Sequence, residues 1–368
     1  MNVLLVGGAG FIGSNLTERL LNDGLHTVTV IDVAAEKIRQ FENHPNLRYI
    51  RLDIASAEDG DRVEDEVQEA DVVVNLAASR GGALEALAVD YGASSRLAQL
   101  CLSHGKWVVQ FSSSDVYGMS AASAAGLDDG EDESSRLGSA PFVEDESPLV
   151  LGPTHEAQWA PACACQMLER ALHAHGRRDG LKYTIVRLFD VLGPRLDYLP
   201  SEKGGHEDGA DRPPVAFVCE VIDALLHGAG PVRLVDGGEW RRTFVDVDDA
   251  VDCVAKIVEG RGRGTLGRTF NVGHPGNEIG MRELAERVCE IFEQNFRRDG
   301  DPPAPEFVSV SSREVWAKGY LDSDRRLPDI GKARDVLGWE PHHDLDWMLF
   351  RTLEYFVQRH RDKQACEE

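Results

Sequence analysis

Long apolar runs and paired cysteines are missing from this 368-residue sequence. No apolar run approaches the roughly 18–20 residues that a membrane-spanning helix needs, and none of the seven cysteines forms a Cys-x-x-Cys pair. A secretory leader is also missing, so we expect reduced thiols and a cytoplasmic protein, and we predict no metal site. Basic residues are few: 39 Lys and Arg stand against 63 Asp and Glu, a formal charge of −24. This charge argues against nucleic acid or an anionic membrane as a partner.

A glycine-rich turn near the N-terminus is the most informative motif. The apolar residues 3–6 lead into residues 7–13, Gly-Gly-Ala-Gly-Phe-Ile-Gly, and a stretch with helical periodicity follows. A strand, turn and helix of this kind point backbone N–H groups and a helix N-terminus at a phosphate. The turn needs its first glycine for a tight backbone, its third for close approach of a pyrophosphate, and its last for helix packing. The predicted cofactor contacts in this turn are Gly7, Gly10, Phe11, Ile12 and Gly13.

A second apolar stretch, residues 27–31, ends at Asp32, at the distance expected for the next strand. A carboxylate at this point can bind both ribose hydroxyls of NAD and would repel the additional phosphate of NADP. The sequence therefore predicts NAD as the cofactor. The alternative is an ordinary strand–turn–helix unit without a ligand.

Apolar stretches alternate with amphipathic ones through the first half of the chain. The strand candidates are 3–6, 27–31, 48–52, 71–76, 107–112 and 183–188, and the helix candidates are 11–22, 60–69, 84–103 and 160–176. This alternation predicts an α/β fold, a doubly wound parallel sheet of the Rossmann type with helices on both faces. Ligands of such a sheet bind at the carboxyl ends of the strands. We expect an NAD-binding domain over residues 1–195.

The second half is less regular and predicts a smaller substrate-binding lobe over 196–368, with some elements returned to the first domain. Its helices are expected near 215–228, 248–259, 280–294 and 345–360, and its strands near 232–235, 243–245, 268–272 and 306–310. Two polar segments, the acidic insertion 119–147 and residues 199–214, are expected to be surface loops.

Further motifs are spread along nearly the whole chain. They include 75–78 (Asn-Leu-Ala-Ala), 112–118 (Ser-Ser-Ser-Asp-Val-Tyr-Gly), 193–197 (Gly-Pro-Arg-Leu-Asp), 242–249 (Arg-Thr-Phe-Val-Asp-Val-Asp-Asp) and 270–273 (Phe-Asn-Val-Gly). With the glycine turn they resemble the extended short-chain dehydrogenase/reductase family, the NAD-dependent epimerases and dehydratases. Local matches are most similar to its branch of UDP-glucuronic acid decarboxylases and UDP-apiose/xylose synthases. The resemblance implies oxidation and decarboxylation, epimerisation or dehydration of a nucleotide sugar.

The resemblance also assigns roles to individual residues. Those that would line the cofactor are Asp53, Ile54, Ala77 and Ala78. Those that would line the substrate are Asp190, Arg195, Arg242 and Tyr320. Arg242 would reach the diphosphate, since a guanidinium suits phosphate oxygens, and Tyr320 would pack on the nucleobase. Arg326 would lie by the sugar and could bind or protonate a carboxylate. A homodimer through the helix of 160–176 is expected as well.

The resemblance fails at the residues that transfer protons in this family. The family uses a tyrosine and a lysine four residues later, which share one face of a helix. Here Pro161 and Cys165 stand at those positions, and no Tyr-x-x-x-Lys occurs elsewhere. Asp115 replaces the glutamate of the branch, whereas Ser113 and Ser114 remain. The sequence thus keeps the binding residues and lacks the usual catalytic pair.

A redirected enzyme is the first of three interpretations that the sequence leaves open. Cys163 and Cys165 lie near the predicted start of a helix, whose dipole favours a thiolate and hence a nucleophile or base. Both cysteines could instead be small core residues. The remaining catalytic and proton-carrying candidates are Ser113, Ser114, Asp115, His155, Asp190 and Arg326.

The second interpretation is conventional redox chemistry with a displaced tyrosine, for which Tyr91 and Tyr117 are the candidates. The third is a catalytically inactive protein that binds NAD or a sugar nucleotide. A non-redox lyase or isomerase that uses cysteine or aspartate is a further alternative. The reactive group stays open, whereas NAD and a small-molecule substrate, expected to be a nucleotide sugar, are the predicted ligands.

Overall fold

The computed structural model describes residues 1–79, 82–119, 140–196, 214–311 and 325–367. Tyr320, most of the acidic insertion and nearly all of 199–214 lie outside these ranges.

The strands fall into three sheets. They are β1 (Asn2–Val6), β2 (Thr27–Asp32), β3 (Leu47–Arg51), β4 (Val72–Asn75), β5 (Trp107–Ser113), β6 (Lys182–Leu188), β7 (Asp190–Leu192), β8 (Val232–Val235), β9 (Arg241–Asp246), β10 (Arg268–Val272), β11 (Glu278–Gly280) and β12 (Phe307–Val310). In the described part of the chain, seven parallel strands form the central sheet in the order β10-β6-β5-β4-β1-β2-β3. Smaller sheets pair β11-β9-β7 and β12-β8.

Helices cover both faces of the central sheet and alternate with short strands in the second half of the chain. They are α1 (Phe11–Asn22), α2 (Gly60–Glu69), α3 (Ala83–Ala86), α4 (Ser94–Ser103), α5 (Ala160–Asp179), α6 (Pro214–His227), α7 (Val247–Glu259), α8 (Met281–Asn295), α9 (Gly331–Leu337) and α10 (Leu345–Glu367). A π-helical segment, Leu87–Ala93, joins α3 to α4, so the predicted helix of 84–103 is continuous. Within the described ranges, every helix is too short or too polar to cross a bilayer.

Strand β1 shows why the sheet needs a helix layer on each face. Val3 and Leu5 point into one buried cluster with α1 and α7, whereas Leu4 and Val6 point into another with α2, α4 and α5. Alternate side chains of a strand face opposite sides, so a strand that is apolar at every position must be covered twice. The predicted doubly wound α/β fold is therefore confirmed.

The second half of the chain contributes to two separate cores. Helices α6, α8 and α10 enclose a cluster that includes Phe244 and Phe292. In contrast, β10 forms an edge of the central sheet and α7 packs against α1. Elements near the C-terminus thus complete the sheet that begins at residue 2, whereas a domain boundary near residue 195 stays a prediction.

In the insertion 119–147, the prediction of a surface loop is wrong for Phe142 and Glu144, whereas residues 140, 141, 145 and 146 are exposed. Phe142 is buried and stacks on the ring of Tyr117, with 4.5 Å between the centroids. Glu144 is also buried, and its carboxylate accepts a backbone hydrogen bond from β10. One aromatic ring and one carboxylate with a single hydrogen-bonded oxygen point inward, although the overall composition of the segment is polar.

We predict that His26 makes the protein less stable in acid. This residue is 5% exposed, and neither ring nitrogen has a hydrogen-bond partner among the described residues. Burial lowers the pKa of His26 below its ordinary value of about 6.5. The unfolded state then binds a proton that the folded state resists, so stability falls as the pH drops below about 6.5.

Urea unfolding at pH 7.5 and pH 5.5 tests this. His26→Leu should show a smaller loss of stability between the two pH values than the wild type. His155→Leu is the control, because its side chain is exposed. Equal losses in wild type and His26→Leu would contradict the assignment.

Candidate active site

The glycine turn is shaped by backbone contacts that leave no room for side chains. Gly7 has a φ of +79°, and a Cβ there would lie 2.8 Å from the backbone nitrogen of Ala77. A Cβ at Gly13 would overlap the carbonyl oxygen of Gly7 and lie 2.7 Å from the Cα of Gly8. The turn therefore presses against both the end of β4 and the start of α1, as predicted for these two glycines.

The N-terminus of α1 is open to an anion. Gly10 is its N-cap and provides no side-chain hydrogen bond, and the first turn of any helix leaves N–H groups without intrahelical acceptors. A Cβ at Gly10 would meet only the carbonyl oxygen of Gly7 within 4 Å, at 3.4 Å. Phe11 and Ile12 follow in this first turn. The cradle fits the pyrophosphate of a dinucleotide.

Asp32 lies beside the same turn at the carboxyl end of β2. Its carboxylate accepts hydrogen bonds from the backbone N–H of Ala9 at 2.9 Å and of Ala34 at 3.2 Å. These contacts fix the carboxylate next to the glycines, where it would bind a ribose. Asp32 and the turn together fit NAD.

The loops after β3 and β4 hold the other predicted cofactor residues. Asp53 is exposed, and its carboxylate accepts a hydrogen bond from the N–H of Ala55, two residues beyond it. Ala77 donates its N–H to the side chain of Asn75, and Ala78 is exposed. Ile54 is half-buried. Because β1 to β4 are parallel neighbours, all these residues lie at one edge of the sheet, beside the glycine turn.

The turn after β5 carries the serines and the aspartate that the sequence singled out. Ser113 caps the 3₁₀ helix Ser114–Tyr117, and its Oγ accepts the N–H of Asp115 at 3.0 Å. The carboxylate of Asp115 pairs with the guanidinium of Arg326. The side chain of Arg326 is 8% exposed and that of Asp115 is 47% exposed. Ser114 is buried. The structure thus brings Ser113, Asp115 and Arg326 together.

The predicted substrate arginines lie in different settings. Arg242 on β9 is 2% exposed, and its guanidinium lies 5.6 Å from the ring centroid of Trp240. Asp190 on β7 pairs in register with Phe244, which places it on the same sheet face as Arg242. A carboxylate there can offset the charge of a buried guanidinium. Arg195 instead directs its guanidinium to α1, where it donates to the carbonyl of Ser14 and pairs with a glutamate.

Helix α5 accommodates Pro161, the residue that the resemblance places at the family's tyrosine position. Pro161 lies in the first turn, where its missing N–H costs no hydrogen bond and its fixed φ suits the helix. The helix ends at Gly180, in the left-handed conformation that favours glycine. A proline at position 161 is therefore compatible with an intact helix.

The surroundings of Cys165 disfavour a thiolate, whereas a catalytic role for this residue stays a prediction. Burial raises the pKa of Cys165 well above its ordinary value, and the neighbouring carboxylates of Asp90, Asp115 and Glu169 raise it further. Cys165 is the sixth residue of α5, beyond the first turn in which the helix dipole acts, and the carboxylates around the thiol oppose a thiolate. Burial and the neighbouring carboxylates thus both favour the protonated thiol at Cys165. Cys163 is half-buried on the same helix, and its role stays a prediction.

A buried ion pair between Glu169 and Arg187 lies next to the site. From the sequence alone, neither residue was assigned a role. Glu169 of α5 accepts two hydrogen bonds from Arg187 of β6, at 2.6 and 3.0 Å, and a third from Ser112 at 2.7 Å. The sequence offered two signals of a buried ion pair. Glu169 lies in the middle of an apolar helix face, and Arg187 lies inside an apolar strand. Both residues become visible as partners only in three dimensions.

Tyr117 does not suit the role of a displaced catalytic tyrosine. Its ring is fully buried beneath the guanidinium of Arg187, and its hydroxyl donates to Asn271 at 2.7 Å. Burial raises the pKa of Tyr117 to about 12.

His155 is 79% exposed beside Glu156, as a solvated loop histidine would be. Among the described residues, no cluster of three or more His, Cys, Asp or Glu could hold a metal.

We predict that Asp32 controls the affinity and selectivity for the cofactor. Asp32→Ala should weaken NAD binding about 10–100-fold, since a charged hydrogen-bond acceptor is lost. Asp32→Asn keeps an acceptor for Ala9 and removes the charge, so it should raise the affinity for NADP relative to NAD. Isothermal titration calorimetry measures both, with Asp71→Ala as the control at the opposite end of the strands. Unchanged NAD affinity in Asp32→Ala would overturn the cofactor site.

We predict that Cys165 reacts slowly with iodoacetamide. In a Cys163→Ala background at pH 8, its alkylation should be about tenfold or more slower than that of exposed Cys366, because only the thiolate reacts. Mass spectrometry of the digested protein gives both rates from one sample. A Cys165 rate equal to or above that of Cys366 would restore the thiolate interpretation.

Comparisons with known proteins agree with this geometry. The model of the "NAD dependent epimerase/dehydratase family" matches residues 3–273. A UDP-D-apiose/UDP-D-xylose synthase from Oryza sativa subsp. japonica is 34% identical over 370 residues, which cover 96% of this chain and 89% of that protein.

Solved structures show the same fold over nearly the whole chain. PbgP3 protein from Burkholderia pseudomallei has a TM-score of 0.80 at 26% identity, covering 99% of this chain and 98% of its own. UDP-glucuronic acid 4-epimerase from Bacillus cereus, in complex with UDP-glucuronic acid and NAD, has a TM-score of 0.74 at 20% identity, covering 98% and 99%. The predicted family, the NAD cofactor and the general class of enzyme are confirmed. The chain belongs to the NAD-dependent epimerase/dehydratase family.

Proposed function

We propose that this protein carries out an NAD-dependent transformation of a nucleotide sugar whose sugar bears a carboxylate, at a site built on Asp115 and Arg326. The ion pair between these residues carries the proposal. Its guanidinium is nearly buried and its carboxylate is half-exposed, so a ligand carboxylate can reach the pair and take the place of Asp115.

The rice relative supports a nucleotide sugar as the substrate, and the Bacillus cereus structure supports a sugar that carries a carboxylate. The rice relative is named for UDP-apiose and UDP-xylose, and the Bacillus cereus structure contains UDP-glucuronic acid. Arg242 adds a second buried guanidinium on β9, the strand whose Thr243 donates to the carbonyl of Arg326 at 2.6 Å. Two neighbouring buried arginines suit a ligand that carries both a diphosphate and a carboxylate.

Separate residues of this chain would bind the cofactor, bind the substrate and transfer the proton. The glycine turn and Asp32 would bind NAD, which when bound supplies a hydride acceptor and donor. Arg242 would bind the diphosphate and Arg326 the sugar carboxylate. Once Arg326 has turned to the ligand, the carboxylate of Asp115 is free to accept a proton from a sugar hydroxyl. The Oγ of Ser113 accepts a hydrogen bond from the backbone N–H of Asp115, so its own O–H proton can be donated elsewhere. Ser113 would donate it to the oxygen of that sugar hydroxyl.

Binding without turnover is a second candidate function. It is favoured by Pro161 and Cys165, which replace the tyrosine and lysine of the family, and by the protonated state of Cys165. In this case NAD and a nucleotide sugar would be held at the same residues. The two candidates share the binding site and differ only in proton transfer.

We predict that purified protein with NAD and UDP-glucuronate shows a change in absorbance near 340 nm or a new sugar product by NMR. Asp115→Asn should lower kcat by about 10²–10⁴-fold, since it removes the proton acceptor. Arg326→Gln should weaken UDP-glucuronate binding about 10–100-fold and leave UDP-glucose binding nearly unchanged. Equal losses for the two sugars would refute the assignment of Arg326 to the carboxylate.

A double substitution separates the two candidate functions. Pro161→Tyr with Cys165→Lys restores the family pair, and the new ammonium would lie among the carboxylates of Asp90, Asp115 and Glu169, which favour a cation. If the wild type binds both ligands without turnover and the double variant turns over UDP-glucuronate, the wild type is a binding protein. Turnover by the wild type that depends on Asp115 establishes the first candidate.

The homodimer and the cytoplasmic location stay predictions. Leu84 and Leu87 are exposed on α3 and the segment that follows it, and Met167 is exposed on α5, the helix to which the resemblance assigns the dimer seam. Exposed apolar side chains on packed helices agree with a subunit contact there.

A further inference from the structure

The Asp115–Arg326 ion pair joins residues 211 positions apart in the sequence. Asp115 lies in the turn after β5, and Arg326 lies in the segment 325–329, beside β9. Neither residue shares a strand or helix with the other. The ion pair therefore requires a contact that holds these two segments in a fixed relation.

Asn271, at the carboxyl side of β10, reaches both segments with one side chain. Its Oδ1 accepts the hydroxyl hydrogen bond of Tyr117 at 2.7 Å, and Tyr117 is two residues after Asp115. Its Nδ2 donates to the carbonyl of Asp329 at 3.1 Å, three residues after Arg326. One carboxamide thus connects the two halves of the ion pair.

A third segment reinforces this connection. Nδ2 of Asn271 also donates to the carbonyl of Phe142 at 2.8 Å. Phe142 pairs with the segment 325–329 through its N–H to Leu327 at 2.8 Å and its carbonyl to Asp329 at 2.9 Å. Its ring stacks on Tyr117. Asn271 is fully buried, so its hydrogen bonds do not exchange readily with water.

We propose that Asn271 is a positioning residue, whose carboxamide ties the turn of Asp115 to the segment of Arg326 and thereby sets the geometry of their ion pair. This inference rests on the proposed function for its effect on substrate, because Arg326 is there the carboxylate ligand. Its structural part, the coupling of Asp115 to Arg326, is independent of any sugar.

Ligand binding tests the functional part. Asn271→Ser should weaken UDP-glucuronate binding at least tenfold, with less than twofold change for UDP-glucose and NAD. The effect should vanish in an Arg326→Gln background, because Asn271 acts through Arg326. Tyr117→Phe removes only the hydroxyl contact and should give a smaller loss of the same selectivity.

Matched controls separate positioning from general destabilisation. Asn277 is also a buried asparagine, and its Nδ2 donates to the carbonyl of His343 at 3.0 Å. Asn277→Ser should not change the ratio of the two sugar affinities. Tyr183→Phe, which removes another buried phenol hydroxyl, is the control for Tyr117→Phe. Parallel losses for both sugars in Asn271→Ser, or a loss that persists in Arg326→Gln, would overturn the positioning role.

Unfolding in urea tests the structural part without any ligand. A double-mutant cycle of Asp115→Asn and Arg326→Gln gives the coupling between the two side chains, and this coupling should fall by at least half when Asn271→Ser is present. An unchanged coupling would overturn the inference. A reduced coupling together with equal affinity of the wild type for UDP-glucuronate and UDP-glucose would instead confirm Asn271 and refute the proposed substrate.

Discussion

The guanidinium of Arg187 holds together the elements on which the candidate site is built. It pairs with Glu169 of α5, donates to the carbonyl of Glu144 at 3.1 Å, and lies 4.8 Å from the ring centroid of Tyr117. Removing either partner of a buried ion pair leaves an uncompensated charge, at a cost of about 3–5 kcal/mol. The position of α5, and with it Pro161 and Cys165, therefore depends on an ion pair between residues that were not among the predicted cofactor and substrate contacts.

This arrangement explains how the site keeps its shape with Pro161 and Cys165 at the positions that the resemblance gives to tyrosine and lysine. Proline suits the first turn of α5, and the small side chain of Cys165 packs against the cluster that contains Tyr117 and Phe142. The carboxylates around Cys165 remain, since Glu169 is needed by Arg187 and Asp90 binds both the N–H and the hydroxyl of Ser79. These hydrogen bonds and the ion pair hold the carboxylates of Asp90 and Glu169 in position with or without a cation between them.

Local patterns allowed the fold and the cofactor cradle to be predicted from the sequence. The glycine turn and Asp32 lie within 26 residues of each other, and their geometry follows from steric rules that act over a few residues. Strands β7 and β11, of three residues each, were too short to give a periodic signal. The protonation of Cys165 and the contacts of Asn271 could not be predicted, because the groups responsible come from segments up to 154 positions away.

The place of β10 in the sheet has a consequence for synthesis of the chain. Strand β6 is complete at Leu188, but its neighbour β10 begins only at Arg268, about 80 residues later. At translation rates of about 5–20 residues per second, the edge of β6 stays uncovered for roughly 4–16 s. An open strand edge is a template for pairing with other chains. The nascent protein thus passes through an aggregation-prone interval, which ends when the residues that complete the sheet, Asn271 among them, leave the ribosome.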